Sequence, residues 1–181
     1  MKQLLTIATA GSAFAIATIF ASQNPTVGGA PMYPNKNIVQ NAMNSKDHTT
    51  LVAAVTAAGL VDTLEGKGPF TVFAPTNEAF DKLPAGTVDT LLKQENKKQL
   101  TTVLTYHVVA GKVTAEKLIQ EIKAGGGKTE LKTVASETLT AKMDSDSVQL
   151  TDAKGGTSKV TIADVMQSNG VIHVVDTVLM P

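Results

Sequence analysis

Two periodicities divide this chain. Before residue 124 the apolar positions recur at three- and four-residue steps, and after residue 127 they alternate. Leu51, Val52, Val55 and Ala58 make one helical stripe, with Asp47 placed to cap it and Gly59 to end it. Further helices are predicted over 77–82, from Thr87 through Leu92, over 96–105 with Leu100, Val103 and Leu104 on one face, and from a Thr114 cap to about Lys123. Two short strands interrupt them. Phe70-Thr71-Val72-Phe73 follows the turn Gly66-Lys67-Gly68-Pro69, and a second run covers 106–109. Past Gly125-Gly126-Gly127, the residues Leu131, Leu139, Met143, Val148, Leu150, Val160 and Ile162 lie in short alternating runs split by polar turns. That is the pattern of antiparallel strands with one covered face. Val171-Ile172-His173-Val174-Val175 is almost continuously apolar and reads as a central strand covered on both faces. Helices first and strands second argue for an α+β fold: a wedge or sandwich of mainly antiparallel strands with several helices packed around it.

The beginning of the chain follows neither pattern. Lys2 precedes an uncharged stretch over 4–21 that holds Ala15-Ile16-Ala17 and ends on Ala21. A positive start, an apolar centre and small residues at the cut are the features of a signal peptide, here expected over 1–21. Its Thr, Gly and Ser content suits a permanent membrane helix poorly, so no stable span is expected after cleavage. Residues 22–36 carry Pro25, Gly28, Gly29, Pro31 and Pro34 without an apolar period, and read as a linker ahead of a folded domain over 37–181. The expected destination is secreted or periplasmic, with association to the cell surface as an option.

Composition removes several functions. The 16 basic residues, all lysine, balance 16 acidic ones, so neither a basic surface nor the guanidinium fork that reads phosphate and guanine is present; nucleic acid is not an expected partner. Trp is absent and aromatics are 4% of the chain, which leaves few platforms for stacking. Without cysteine there are no disulfides, thiolate nucleophiles, thiolate metal sites or cysteine-linked lipids.

Three stretches imitate motifs and fail. Gly126-Gly127-Lys128-Thr129 lacks the first glycine of a phosphate loop, since Ile122 stands there, and it leads from helix to strand, the reverse of that motif. Asp144-Ser145-Asp146 opens like a calcium loop, but Val148 and Gln149 occupy positions that need an oxygen ligand and a glycine, so it reads as a hairpin tip. His48, His107 and His173 have no ligand spacing; in their apolar runs His107 and His173 read as neutral, hydrogen-bonded core imidazoles. No serine elbow or carboxylate pair stands out. No catalytic centre, metal or cofactor is expected, and the chain is not read as an enzyme.

Three segments in order carry a resemblance. Gly68-Pro69-Phe70-Thr71-Val72-Phe73-Ala74-Pro75-Thr76-Asn77-Glu78-Ala79-Phe80 resembles the first homology box of the fasciclin (FAS1) family. Leu104-Thr105-Tyr106-His107-Val108-Val109 resembles its central Tyr-His segment, and the run from Asn169-Gly170-Val171-Ile172-His173 to Pro181 its second box. The resemblance spans 37–181 and is nearest to small secreted bacterial members. It implies helices around a β-wedge and an adhesion role, binding a surface protein, matrix or polysaccharide, with no catalytic centre. It also implies two candidate binding elements. One is Tyr106 with His107. The other is Asp164 with Val165, where animal members carry Asp-Ile and often Pro or Lys at the place of Ala163.

The residues themselves allow a plainer reading of the boxes as folding instructions. Phe70 and Val72 face one way and Thr71 and Phe73 the other. Pro75 removes a ladder donor, Thr76 helps end the strand, Asn77 closes a local turn, Gly170 permits a tight start to the last strand, and His173 sits within it. Asp164 is either an exposed acid at a polar turn or the N-cap of a helical turn over 165–167. The expected function is an exported adhesion or interaction module. The alternatives are a periplasmic small-ligand carrier, or an envelope stress protein without specific adhesion.

Overall fold

A computed structural model describes residues 24–181. The expected signal peptide over 1–21 lies outside the described residues. Nine strands and seven α-helices follow in the order β1 (Thr26–Val27), β2 (Ala30–Pro31), α1 (Ile38–Ala42), α2 (Thr49–Ala58), α3 (Val61–Glu65), β3 (Phe70–Pro75), α4 (Asn77–Asp81), α5 (Thr87–Leu91), α6 (Lys97–Tyr106), β4 (Val108–Ala110), α7 (Ala115–Ala124), β5 (Lys128–Lys132), β6 (Thr138–Asp144), β7 (Ser147–Thr151), β8 (Thr157–Gln167) and β9 (Gly170–Val175) among those residues.

Seven strands share one sheet in the order β4-β3-β9-β8-β7-β6-β5. Every pairing is antiparallel except β3 with β9, which run parallel from Phe70–Gly170 to Pro75–Val175. The two edge strands meet at a single bridge, Val109–Thr133, and the Val134 N–H donates to the Val108 carbonyl at 2.7 Å. The sheet is thus a wedge whose edges nearly close, which leaves little unpaired ladder exposed.

Strand alternation sorts the apolar residues into two cores. Val72, Ala74, Ile172 and Val174 point to the side covered by α1, α2, α3 and α6, where they meet Ile38, Leu51, Val55 and Leu104. Phe73 and Val175 point the other way, into a second core with Tyr106, Leu118, Ile122, Leu139, Leu150 and Leu179. Strand β9 is buried along its whole length, as its unbroken apolar run requires.

Several boundaries differ from the sequence reading. Tyr106 is the last residue of helix α6, and β4 starts only at Val108. Asp47 lies in a 3₁₀ turn over Lys46–His48 and does not cap α2; Gly59 does end that helix, at φ 72°. Asn77 does not close a local turn. Its side chain reaches back to α2, where Oδ1 accepts from the Thr50 N–H (3.0 Å) and the Thr49 hydroxyl (3.2 Å) while Nδ2 donates to the Lys46 carbonyl (2.9 Å). Thr76 caps α4 by accepting from the Ala79 N–H at 3.2 Å.

Residues 24–36 are not a bare linker. The β1–β2 hairpin buries Val27 and Met32 in the first core, and the Asn24 side chain pairs with both backbone groups of Met166 on β8. Of the Pro and Gly residues that suggested a linker, Gly28 and Gly29 make the turn of this hairpin and Pro31 lies in its second strand. Two or three apolar residues between turns give no period, so nothing in the pattern marked them as packed.

Candidate functional site

The three box segments lie side by side. In register, Phe73 on β3 pairs with His173 on β9, and their rings stack with centroids 5.6 Å apart and planes at 25°. On the other flank the Phe73 N–H donates to the His107 carbonyl at 2.9 Å. A row therefore crosses the sheet from His107 through Phe73 to His173 and on to Asp164, which joins all three boxes.

Each histidine in this row is held in one neutral tautomer by partners of fixed polarity. At His107, Nδ1 donates to the Val103 carbonyl (2.8 Å), so the unprotonated Nε2 accepts from the Leu179 N–H (3.0 Å). At His173 the roles reverse: Nε2 donates to the Val113 carbonyl (2.7 Å) and Nδ1 accepts from the Asp164 N–H (3.3 Å). A second proton on either ring would face an N–H donor. Burial also disfavours the charged ring, lowering His107 from 6.5 to about 4 and lowering His173 as well. His48 is also lowered by burial, and is held by the Ser45 hydroxyl at Nδ1 (2.8 Å). His107 and His173 are thus both buried, with both ring nitrogens engaged by backbone groups.

Tyr106 is completely buried. Its hydroxyl donates to the Thr138 carbonyl (3.1 Å) and accepts from the Ala153 N–H (3.0 Å), tying the end of α6 to the start of β6 and to the β7–β8 turn. Burial raises its pKa. Beside it, Asp152 organises the chain end: Oδ1 accepts from the Lys154 and Gly156 N–H groups at 3.0 and 2.7 Å, and Oδ2 from the Met180 N–H at 3.0 Å. Tyr106 and His107 accordingly present no side-chain surface to a partner; they brace the second core.

Asp164 and Val165 do not begin a helical turn. They sit in β8 at an irregularity between Ile162 and Val165, where Asp164 takes φ 57°, a left-handed conformation that Asp tolerates better than most residues. The kink turns Val165 fully into the first core and sends the half-buried Asp164 toward α7. There Oδ1 accepts from the Ala115 N–H at 2.8 Å, at the first residue of the helix. A carboxylate at that end completes a free backbone donor and complements the helix dipole. The cap role was anticipated, but for the wrong helix: the partner is 49 residues away in sequence. Next to it, α7 and the β6–β7 tip flank a cleft of about 250 Å³ lined by Leu118, Ile119, Asp146, Ser147, Thr161 and His173 among others.

One polar residue that the sequence reading passed over holds the second box in place. Asn169 accepts at Oδ1 from the Ile38 N–H (3.1 Å), and its Nδ2 donates to the Leu64 (2.6 Å) and Gly66 (2.9 Å) carbonyls, so it bolts α1 and α3 to the start of β9. At Gly170 a Cβ would lie 1.9 Å from the Phe70 carbonyl oxygen, so only glycine fits. The signal available was the Asn-Gly pair itself, which reads first as an ordinary turn. Among the described residues, no group of three or more acidic or histidine side chains is placed to hold a metal ion, and no helix is long and apolar enough to cross a membrane.

Comparison with known proteins decides the family. The family model described as the fasciclin domain matches residues 46–181. The chain belongs to the fasciclin family. Protein sll1483 of Synechocystis sp. is 44% identical over 93% of this chain and 94% of its own length. Immunogenic protein MPB70 of Mycobacterium bovis is 37% identical over 90% of this chain and 78% of its own. Cell surface glycolipoprotein MPB83, from the same species, is 34% identical over 90% and 69%. Among solved structures, the FAS1 domain pair of the insect cell adhesion molecule Fasciclin I superposes with a TM-score of 0.71 over 84% of this chain at 18% identity. That likeness shows the fold, and this fasciclin chain spans about half (52%) of the domain pair. The α+β wedge read from the sequence is the fasciclin fold.

Proposed function

We propose that this fasciclin domain is an exported interaction module of the adhesion type, not an enzyme, that binds a surface protein, matrix component or polysaccharide. The observation that carries the reading is family membership together with the use of the polar side chains in the three box segments. His107, His173, Tyr106 and Asn169 all spend their hydrogen-bonding groups inside the fold. Chemistry on a substrate needs a group left free, and adhesion does not. A solved fasciclin structure comes from a cell adhesion molecule and a relative is named a cell surface glycolipoprotein, which supports the same role and a secreted or surface location.

On this reading the partner meets the surface around the Asp164 kink. The carboxylate is half-buried, and its Oδ1 is engaged with α7, while the neighbouring Thr161 and Ser168 are exposed. The buried Val165, Tyr106 and His107 act by holding that kink and the second core, not by touch. The test is a binding screen of the purified protein against envelope polysaccharides and surface proteins. The expected result is saturable binding that weakens at least fivefold in Asp164→Asn, a change that keeps an oxygen for the Ala115 N–H. No saturable binding to any member of the panel would overturn the proposal.

A further inference from the structure

The first core is not filled. Between the sheet and helices α1, α2, α3 and α6 lies a cavity of about 60 Å³, several times what one water needs. A second, of about 20 Å³, lies under the N-terminal hairpin against Val27 and Met32. The two share four walls, Ile38, Ala42, Leu51 and Val72, so they adjoin in the first core, and Ala42 borders both.

Away from the mouth both cavities are apolar apart from groups already engaged, such as Thr105, whose hydroxyl donates to the Thr101 carbonyl at 2.8 Å. In the larger cavity the only ionisable wall residue is His107, whose two ring nitrogens are already engaged. At the far end Ser45 and His48 bond to each other. No buried side-chain nitrogen or oxygen among the described residues lacks a partner, so water in either cavity would find almost nothing to bond to. The mouth has a different character. Exposed Thr56 and Thr63 supply hydroxyls, while Val134 stays 44% exposed and Val52, Leu60, Val61 and Phe70 are only half covered. Helix α2 is apolar on more faces than its packing uses, and Val52 is the residue left over at the mouth.

We propose that the two cavities join into one channel that binds a single hydrocarbon chain, the alkyl or isoprenoid tail of a one-chain lipid, with the polar head at the threonine mouth. The apolar walls leave no partner for a polar atom beyond the mouth. An apolar lip with hydroxyls beside it matches an amphiphile that enters tail first. The site is separate from the Asp164 surface.

Displacement of cis-parinaric acid from the full chain measures it, since the protein has no tryptophan to interfere. Competitors are saturated fatty acids of eight to eighteen carbons and, as a separate arm, the isoprenoid alcohol farnesol; which arm wins identifies the tail. The expected result is one site per chain, with affinity rising roughly three- to fourfold per methylene until the channel is full. Ala42→Leu, at the border of the two cavities, is expected to weaken the longest acids at least tenfold while sparing the shortest. Val52→Glu at the mouth leaves the deep core untouched, and is expected to weaken all fatty acids at least tenfold even if Ala42→Leu does not fold. Absence of binding to wild type, or affinities that neither follow chain length nor respond to Val52→Glu, would overturn the proposal.

Discussion

Replacing His107 by Gln is expected to change how the stability of this domain depends on pH, not only its size. His107 is 2% exposed and titrates at about 4 in the folded protein against 6.5 for the free side chain. Between those values the unfolded chain binds a proton that the folded chain does not, so stability falls as pH falls. The folded pKa is the lowered one, so the loss begins near pH 6.5 and is complete only below about pH 4. At about 1.4 kcal/mol per pH unit, His107 alone removes about 2 kcal/mol by pH 5 and about 3 kcal/mol in full. For a domain whose whole stability is roughly 5–15 kcal/mol, that is a large share. The physical cause is that a second proton would be buried and aimed at the Leu179 N–H.

Gln carries one donor and one acceptor but does not titrate. His107→Gln should cost about 1–2 kcal/mol at pH 7 through poorer hydrogen bonds, yet the gap to wild type should close or invert by pH 4.5. Urea unfolding followed by circular dichroism at half-unit steps from pH 4 to 7.5 measures both curves. His48 and His173 are lowered by burial too and give wild type and variant a common slope, so the difference between the curves isolates His107. Parallel curves across this window would refute the reasoning, because they would mean that His107 is not a neutral buried imidazole.

Other expectations follow from the same packing. Gly170→Ala drives a methyl into the Phe70 carbonyl and should destabilise by about 2–3 kcal/mol or prevent folding, read as a fall in the urea midpoint. Asn169→Ala strands the Ile38 N–H and two carbonyls and should cost about 3 kcal/mol, with amide exchange rising in both α1 and α3; a loss confined to the β8–β9 turn would contradict its bridging role. Asp164→Ala removes a helix cap and leaves a side chain with less tolerance for φ 57°, for about 1–2 kcal/mol, whereas Asp164→Asn should stay within about 1 kcal/mol of wild type.

Much of the fold was legible because periodicity survives in a single chain. Helices α6 and α7, the β6–β7 hairpin at Asp144-Ser145-Asp146 and the covered strand β9 all stand within a residue or two of where the pattern puts them. Tertiary contacts were not legible. The Asn77 side chain serves a helix about 27 residues earlier and Asp164 one 49 residues earlier, distances no local rule covers. The hairpin over 26–31 was hidden for a related reason: its burial depends on Val27, Met32 and Asn24 finding β8 and the first core. The binding surface was the least legible of all. The same Tyr-His and Asp-Val pairs suit contact or support, and only their burial separates the two.

On the proposed function, the boxes support an interaction surface and do not themselves carry it. Paired measurements of unfolding free energy and partner affinity on Tyr106→Phe and Asp164→Asn test it most directly. Tyr106→Phe leaves the Ala153 N–H and the Thr138 carbonyl unbonded, so the account predicts a loss of about 1–2 kcal/mol in stability with affinity unchanged. Asp164→Asn is predicted to do the opposite, keeping stability and losing affinity. Affinity that falls with Tyr106→Phe at undiminished stability, or that ignores Asp164→Asn, would contradict the account.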